Sequence, residues 1–253
     1  MKSSIKVGRV WSFDEFDAKI FHHAFREIPV KTLVIDFRGK RPTLSSRRGF
    51  KRVRFVCNNS NPTELWGFIH DPENMKIYVN EVLSQLGISY DDCVILFTGV
   101  DMDDVALAGE RFEDLAVYAF VTAGVDSNAM RIGVDEASTV ERDGRFERLK
   151  TINTILITNA SLSEGAMVQS IVTATEAKAI ALQDLDVRSS YNPELQATGT
   201  GTDNIVVVSG NGPRISYVGG HTKMGEMMAK AVTRATKEAI AKHRLRIAAS
   251  RDG

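Results

Sequence analysis

The run LAVYAFVTA, Leu115 to Ala123, reads as a strand, rich in β-branched and aromatic residues and free of charge. The next apolar run, INTILIT (Ile152 to Thr158), reads the same way, and only a polar loop lies between the two. A strictly alternating βαβ chain would place an amphipathic helix there, so this pair makes the sheet mixed. Working outward, TLVIDF (Thr32 to Phe37), VRFVC (Val53 to Cys57), CVILFT (Cys93 to Thr98) and NIVVVSG (Asn204 to Gly210) complete a set of six strands.

Three helices fit around them. The first takes Asp71 as N-cap with Pro72 behind it, lines up Met75, Tyr78, Val79, Val82, Leu83 and Leu86, and stops at Gly87. The second starts from SLSE, where Ser161 and Glu164 have capping-box spacing, and runs to about Leu185. Its residues are mostly small, which lets the backbone lie close against a sheet. The third starts near Thr222, puts Met224, Met228, Ala231, Val232, Ala235 and Ala239 on one stripe, and turns basic towards Arg246. No repeat or Pro/Gly/Ser-rich linker divides the chain. The expectation is an α/β fold: a single-domain layered sandwich over residues 1–253, with a mixed β-sheet packed by long helices.

Composition narrows the function classes. The 253 residues are 43% hydrophobic, enough for a substantial core, and 32 basic side chains cancel 32 acidic ones. No global field draws the chain to nucleic acid or an anionic membrane, so small molecules are the expected partners. Cys57 and Cys93 sit in apolar runs and read as buried free thiols of a reducing compartment. The start MKSSIKVGRVWSFDEF meets polar residues before any secretory apolar core, and no run nears the ~18 residues of a membrane span. The reading is a soluble cytoplasmic protein without a membrane span, with a homo-oligomer left open.

Four segments interrupt the amphipathic pattern with polar residues and glycine: TAGVDSNAMRIGVD, TNASLSEG, ATGTGTD and YVGGHTKMGE. Each lies at the end of an element, and the expectation is that they converge on one site. In ATGTGTD, Gly199 and Gly201 would let backbone N–H groups approach an oxyanion or phosphate, with Thr198, Thr200 and Thr202 adding hydroxyls. A glycine-rich turn capped by Asp203 is the plainer account. The segment is neither a Walker loop nor a dinucleotide fingerprint. His221, at a helix start that favours neutral imidazole, suits a general base or a cap. Glu176 lies on a polar stripe that is equally well a wet helix face. His22 and His23, placed on an early helix, read as solvated, as do His70 and His243. No zinc signature occurs, and DMDD (Asp101 to Asp104) reads as an acidic helix start and not a calcium loop. The basic run Arg38 to Arg54 reads as a solvated loop and outer strand face, with phosphate recognition as its alternative.

In order along the chain, TLSSRRGFKRVRFVCN, TAGVDSNAMRIG, TNASLSEGAMVQSIVTATEAKAIALQDL, ATGTGTDNIVVV and YVGGHTKMGEMMAKAV resemble the adenosylcobinamide amidohydrolase family over residues 43–235. The resemblance implies hydrolysis of the amide joining aminopropanol to a corrin side chain, giving adenosylcobyric acid in corrinoid salvage. It points to Ser45, Ser46, Asn58, Asn128, Asn159, Glu164, Thr175, Glu176, Thr200, Asp203 and His221. His221 is the expected base, with Asp203 or Glu176 orienting it and Glu164 in reserve. Ser45, Ser46, Asn58, Asn128, Asn159 and Gly199 to Thr202 would bind substrate, the GTGTD amides cradling the oxyanion. No metal or cofactor is expected beyond the cobalt of the corrinoid. Arg47 and Arg48 stand where small residues are expected, and Asp126 is a second departure. A corrinoid-binding protein without chemistry, and a phosphate-site enzyme acting on a nucleotide, are the competing readings.

Overall fold

The computed structural model describes residues 5–137 and 151–251. Part of the polar loop between the two opening strands, residues 138–150, lies outside them. Strands β1 (Lys6–Ser12), β2 (Asp17–Phe25), β3 (Ile28–Ser45) and β4 (Gly49–Ser60) come first, followed by helices α1 (Trp66–Ile69) and α2 (Pro72–Gln85). Next come β5 (Cys93–Thr98), β6 (Ala106–Phe112), β7 (Leu115–Ala123), β8 (Ala129–Met130), β9 (Ile152–Thr158) and β10 (Ser161–Leu162). The chain ends with α3 (Glu164–Asp184), β11 (Gly199–Thr200), β12 (Asn204–Val208), β13 (Arg214–Ile215) and α4 (Lys223–Arg251).

Nine strands among the described residues form one mixed sheet in the order β1-β2-β3-β12-β9-β7-β6, with β4 and β5 branching from β3. The branch needs a long strand that changes direction. Pairing of β3 with β4 slips between Asp36 and Arg41, where Arg38 has φ 58 and its N–H is held by Asp36 Oδ1 at 2.8 Å. Before this bulge β3 pairs with β2, and after it with β12. The sheet therefore folds over on itself and encloses a core between its two halves.

The opening strand shows how the layers separate. Along β7, Ala116, Tyr118 and Phe120 point into the inter-sheet core with Phe16, Leu33, Ile35 and Val56. The alternate Val117, Ala119, Val121 and Ala123 face α3 and α4. Period-two alternation with both faces buried is why LAVYAFVTA reads as a continuous apolar run. A third core seats α1 and α2 against β2 to β5 through Phe25, Val34, Tyr78 and Val82. The layered α/β architecture with a mixed sheet is as expected.

Local determinants agree in most places. Asp71 caps α2, accepting from the N–H groups of Glu73 and Asn74 at 3.0 Å, and Gly87 ends it with φ 69. Helix α3 lies close to the sheet through Ala166, Ala174, Ala177 and Ala181. Its N-cap is Ser163, which accepts from Ala166 N–H at 3.2 Å, and not Ser161, which belongs to β10.

The histidines need correction too. His22 and His23 lie in β2, and His23 is 5% exposed, its ring nitrogens 3.0 Å from Gln85 Oε1 and 2.8 Å from Thr32 Oγ1. His243 is also buried, with Nε2 3.0 Å from Asp126. Cys57 and Cys93, distant in sequence, sit on paired strands with their sulfurs 3.5 Å apart. Asp101 and Asp103 of DMDD bind Lys31, while Asp104 binds Arg246.

Candidate active site at one end of the inter-sheet core

The inter-sheet core ends in a polar layer. Asn58, Thr122, Asn153 and Asn204 each stand two residues along a strand from an inward-facing apolar residue, respectively Val56, Phe120, Ile155 and Val206. Strand periodicity puts all four on the inner face. Burial of amides and hydroxyls is costly unless they satisfy one another, and here they do. Asn58 donates to Thr122 Oγ1 at 2.9 Å. Asn153 donates to Asn58 Oδ1 and to the Phe97 carbonyl, both at 2.9 Å. Asn204 donates to the Thr202 carbonyl at 2.9 Å and accepts from the Ser46 hydroxyl at 3.2 Å. The chain of amides runs from fully buried Thr122 to exposed Ser46, so it leads from the core to the surface.

Beside this layer stands the glycine and threonine loop. Asp203 pairs with Lys178 of α3, accepts the Thr200 hydroxyl, and accepts backbone N–H groups from Thr200 at 3.1 Å and Ile152 at 3.2 Å. Gly201 N–H donates to the Asn128 carbonyl at 3.2 Å, and Thr202 N–H points to Thr200 Oγ1 at 3.4 Å. The expected cradle is thus turned inward: the loop holds Lys178, and its amides at 200, 201 and 202 are spent inside the protein. Neither glycine needs φ > 0. A Cβ on Gly199 would lie 2.5 Å from Asp203 Oδ2 and 2.7 Å from Lys178 Nζ, so close approach is what requires glycine. Asn128 donates to Thr202 Oγ1 at 3.3 Å and accepts from the Tyr191 hydroxyl at 3.2 Å.

The four polar segments do not converge; they form two pairs at opposite ends of the parallel strands β9 and β12. TAGVDSNAM and ATGTGTD meet through the pairing of β8 with β11. TNASLSEG and YVGGHTKMGE meet at the other end, where Thr173 donates to the Val218 carbonyl and Thr158 lies 3.8 Å from Met224 Sδ. From Asn153 to Asn159 the strand advances about 20 Å at ~3.3 Å per residue.

Among the residues expected to act together, Ser46, Asn58, Asn128, Gly199, Thr200, Gly201, Thr202 and Asp203 are gathered at the first end. Ser45 is buried beside them and accepts from Arg47 N–H at 3.1 Å. Asn159 is at the second end, where it accepts from Ala116 N–H at 2.8 Å and donates to the Asp114 carbonyl at 2.7 Å. Glu164 opens α3 at that same end, and Thr175 and Glu176 are exposed on the helix surface. His221 is exposed beside Gly219, and Asp203, committed to Lys178 and Thr200, does not orient it. Thr122, Asn153, Asn204 and Lys178 were not picked out from the sequence. No group of three or more His, Cys, Asp or Glu residues able to hold a metal occurs among the described residues.

Half of the basic run is paired with carboxylates among the described residues. Arg38 pairs with Asp17, Lys40 with Asp92, Arg41 with Glu15 and Arg54 with Asp36. Arg48 covers the Tyr90 ring at 4.1 Å and donates to the carbonyls of Tyr90 and Cys93. Arg47 instead covers the Phe97 ring at 5.1 Å, a ring of the core under α1 and α2.

Residues 18–247 match the model of the adenosylcobinamide amidohydrolase family. The chain is 51% identical over 223 residues to the uncharacterized protein MJ1613 of Methanocaldococcus jannaschii, covering 84% of this chain and 86% of that one. It is 30% identical over 222 residues to the adenosylcobinamide amidohydrolase of Methanosarcina mazei, covering 83% and 94% respectively. A solved structure, the PH0078 protein from Pyrococcus horikoshii OT3, aligns with TM-score 0.38 and 13% identity over 85% of this chain and 77% of that one. By the extent of the family match and the amidohydrolase relative, this chain belongs to the adenosylcobinamide amidohydrolase family.

Proposed function

We propose that the protein hydrolyses the amide between aminopropanol and the corrin side chain of adenosylcobinamide, giving adenosylcobyric acid, and that it does so at the amide-lined end of the inter-sheet core. The observation that carries this placement is the continuous network from Thr122 through Asn58, Asn153 and Asn204 to Ser46, adjoining Asp203. A corrin periphery bristles with primary amides, and the open end of the network, Ser46 with Asn204, offers them both a donor and an acceptor.

The reaction adds water across the amide. A water proton passes to Thr200 Oγ1 while the Thr200 hydroxyl proton moves to Asp203, to which it is already hydrogen-bonded. The water oxygen bonds to the carbonyl carbon, the C–N bond breaks, and the amine leaves with the proton returned from Asp203. Lys178 holds the carboxylate in place throughout. Incubating purified protein with adenosylcobinamide and analysing by mass spectrometry tests the activity. Cobyric acid and aminopropanol in equal amounts are expected. A tightly bound but uncleaved corrinoid would identify a carrier and overturn the proposal.

A further inference from the structure

The geometry points to Arg47 as the group that holds the negative charge created by amide cleavage, first on the scissile carbonyl oxygen and then on the product carboxylate. This inference deepens the hydrolase reading and rests on it.

Three observations converge on this residue. The first is its position. Ser46, its chain neighbour, is tied to the amide layer through Asn204 Oδ1 at 3.2 Å and Ile205 N–H at 3.1 Å. The turn is fixed from below by the Ser45 hydroxyl, which accepts from Arg47 N–H. The guanidinium covers the ring of Phe97, which packs in the core under α1 and α2 while its carbonyl accepts from Asn153. Arg47 therefore borders the open end of the layer.

The second is its charge state. Unlike Arg38, Arg41 and Arg54 of the same basic run, Arg47 has no carboxylate within ion-pair distance among the described residues. A guanidinium is protonated at any working pH and offers a planar fork of donors that matches a carboxylate bidentately. The third is its environment. Arg47 is open to solvent, yet loss of hydration lowers its pKa, and only the Tyr90 hydroxyl opposes that. It thus stays reachable from solvent while its guanidinium packs on the Phe97 ring.

The chemistry of the reaction explains what such a cation would do. The substrate amide is neutral, the tetrahedral intermediate carries negative charge on oxygen, and the product is a carboxylate with an ammonium leaving group. A fixed positive charge distinguishes the later species from the first, which is what accelerates the step. The loop amides that could otherwise serve are occupied internally. Arg47 also stands where a small residue was expected, so the device marks this chain.

The test compares binding with turnover in full-length protein. Arg47→Ala should weaken binding of adenosylcobyric acid at least about 10-fold more than binding of adenosylcobinamide, and lower kcat about 10²-fold with little change in KM. Arg47→Lys, which keeps the charge, should restore part of both losses. Thermal melts establish that the variants fold. Equal weakening of both corrinoids, or unchanged kcat, would overturn the inference. If wild type fails to cleave adenosylcobinamide, the hydrolase reading falls separately, because the binding comparison needs no turnover.

Discussion

Asp203 closes an ion pair with Lys178, and their side chains are only 15% and 8% exposed. The contact joins the loop at the mouth of the polar layer to the buried side of α3. Breaking one member leaves the other charged and desolvated. Asp203→Asn should therefore destabilise the fold by about 3–5 kcal/mol, whereas Asp203→Asn with Lys178→Met should recover most of that loss. Activity should stay absent in both. Urea unfolding alongside turnover checks this, and a double variant that regains activity would reduce Asp203 to a structural role.

Gly199 and Gly201 should differ. Ala at 199 sets a methyl against both members of the ion pair, whereas at 201 it meets the movable sulfur of Met130 at 3.0 Å and the Asn128 side chain. Gly199→Ala should cost about 1–3 kcal/mol and most of the turnover. Gly201→Ala should cost less of each. Melting curves with parallel rates decide it, and the reverse order would contradict the assigned packing.

Asn58→Ala removes the acceptor of Asn153 and the donor to Thr122 in a site that is 2% exposed. A loss of about 1–3 kcal/mol is expected from the buried groups left unpaired. Corrinoid affinity, measured by titration, should fall with it. Unchanged affinity would place the corrin elsewhere.

His221→Ala is the contrasting variant. As the general base, His221 would be worth about 10² to 10⁴ in rate. Exposed and at the far end of β9, it should instead leave turnover within about twofold. A large kcat loss in a folded His221→Ala protein would move the chemistry to that end.

Stability should also fall on the acid side through Asp104. Its burial favours the neutral acid, but His243 and Arg246 outweigh this and hold its pKa below the usual 3.8. A carboxylate with a depressed folded pKa stabilises fully above its unfolded pKa and loses that share as pH falls through the folded one. Urea midpoints of wild type and Asp104→Asn should differ at pH 7 and converge below about pH 4. A difference that persists or widens in acid would contradict it.

The sequence was most readable where strands are buried on both faces, because LAVYAFVTA, CVILFT and INTILIT carry that burial as uncharged runs dominated by apolar residues. Edge strands carry no such mark. The residues KVGRVWS of β1 are almost wholly exposed, and the paired histidines of β2 look like a helix face until their partners are seen.

At the candidate site, the loop residues lie in family-like segments, whereas the residues they meet sit inside regular structure. Asn153 is the one amide side chain in a buried strand, and Lys178 a charge on the alanine face of α3. A buried polar residue is the informative exception, and these two were the available signals. His221 stands apart from these residues, exposed beside Gly219, and a glycine-flanked histidine at a helix start looks the same in sequence wherever it lies.

Turnover of adenosylcobinamide in water enriched in ¹⁸O, read by mass spectrometry of both products, tests the central claim most directly. The account predicts adenosylcobyric acid carrying one heavy oxygen in its new carboxylate, with unlabelled aminopropanol. Intact adenosylcobinamide after prolonged incubation with folded, corrinoid-bound protein, or a heavy oxygen in the aminopropanol, would contradict it.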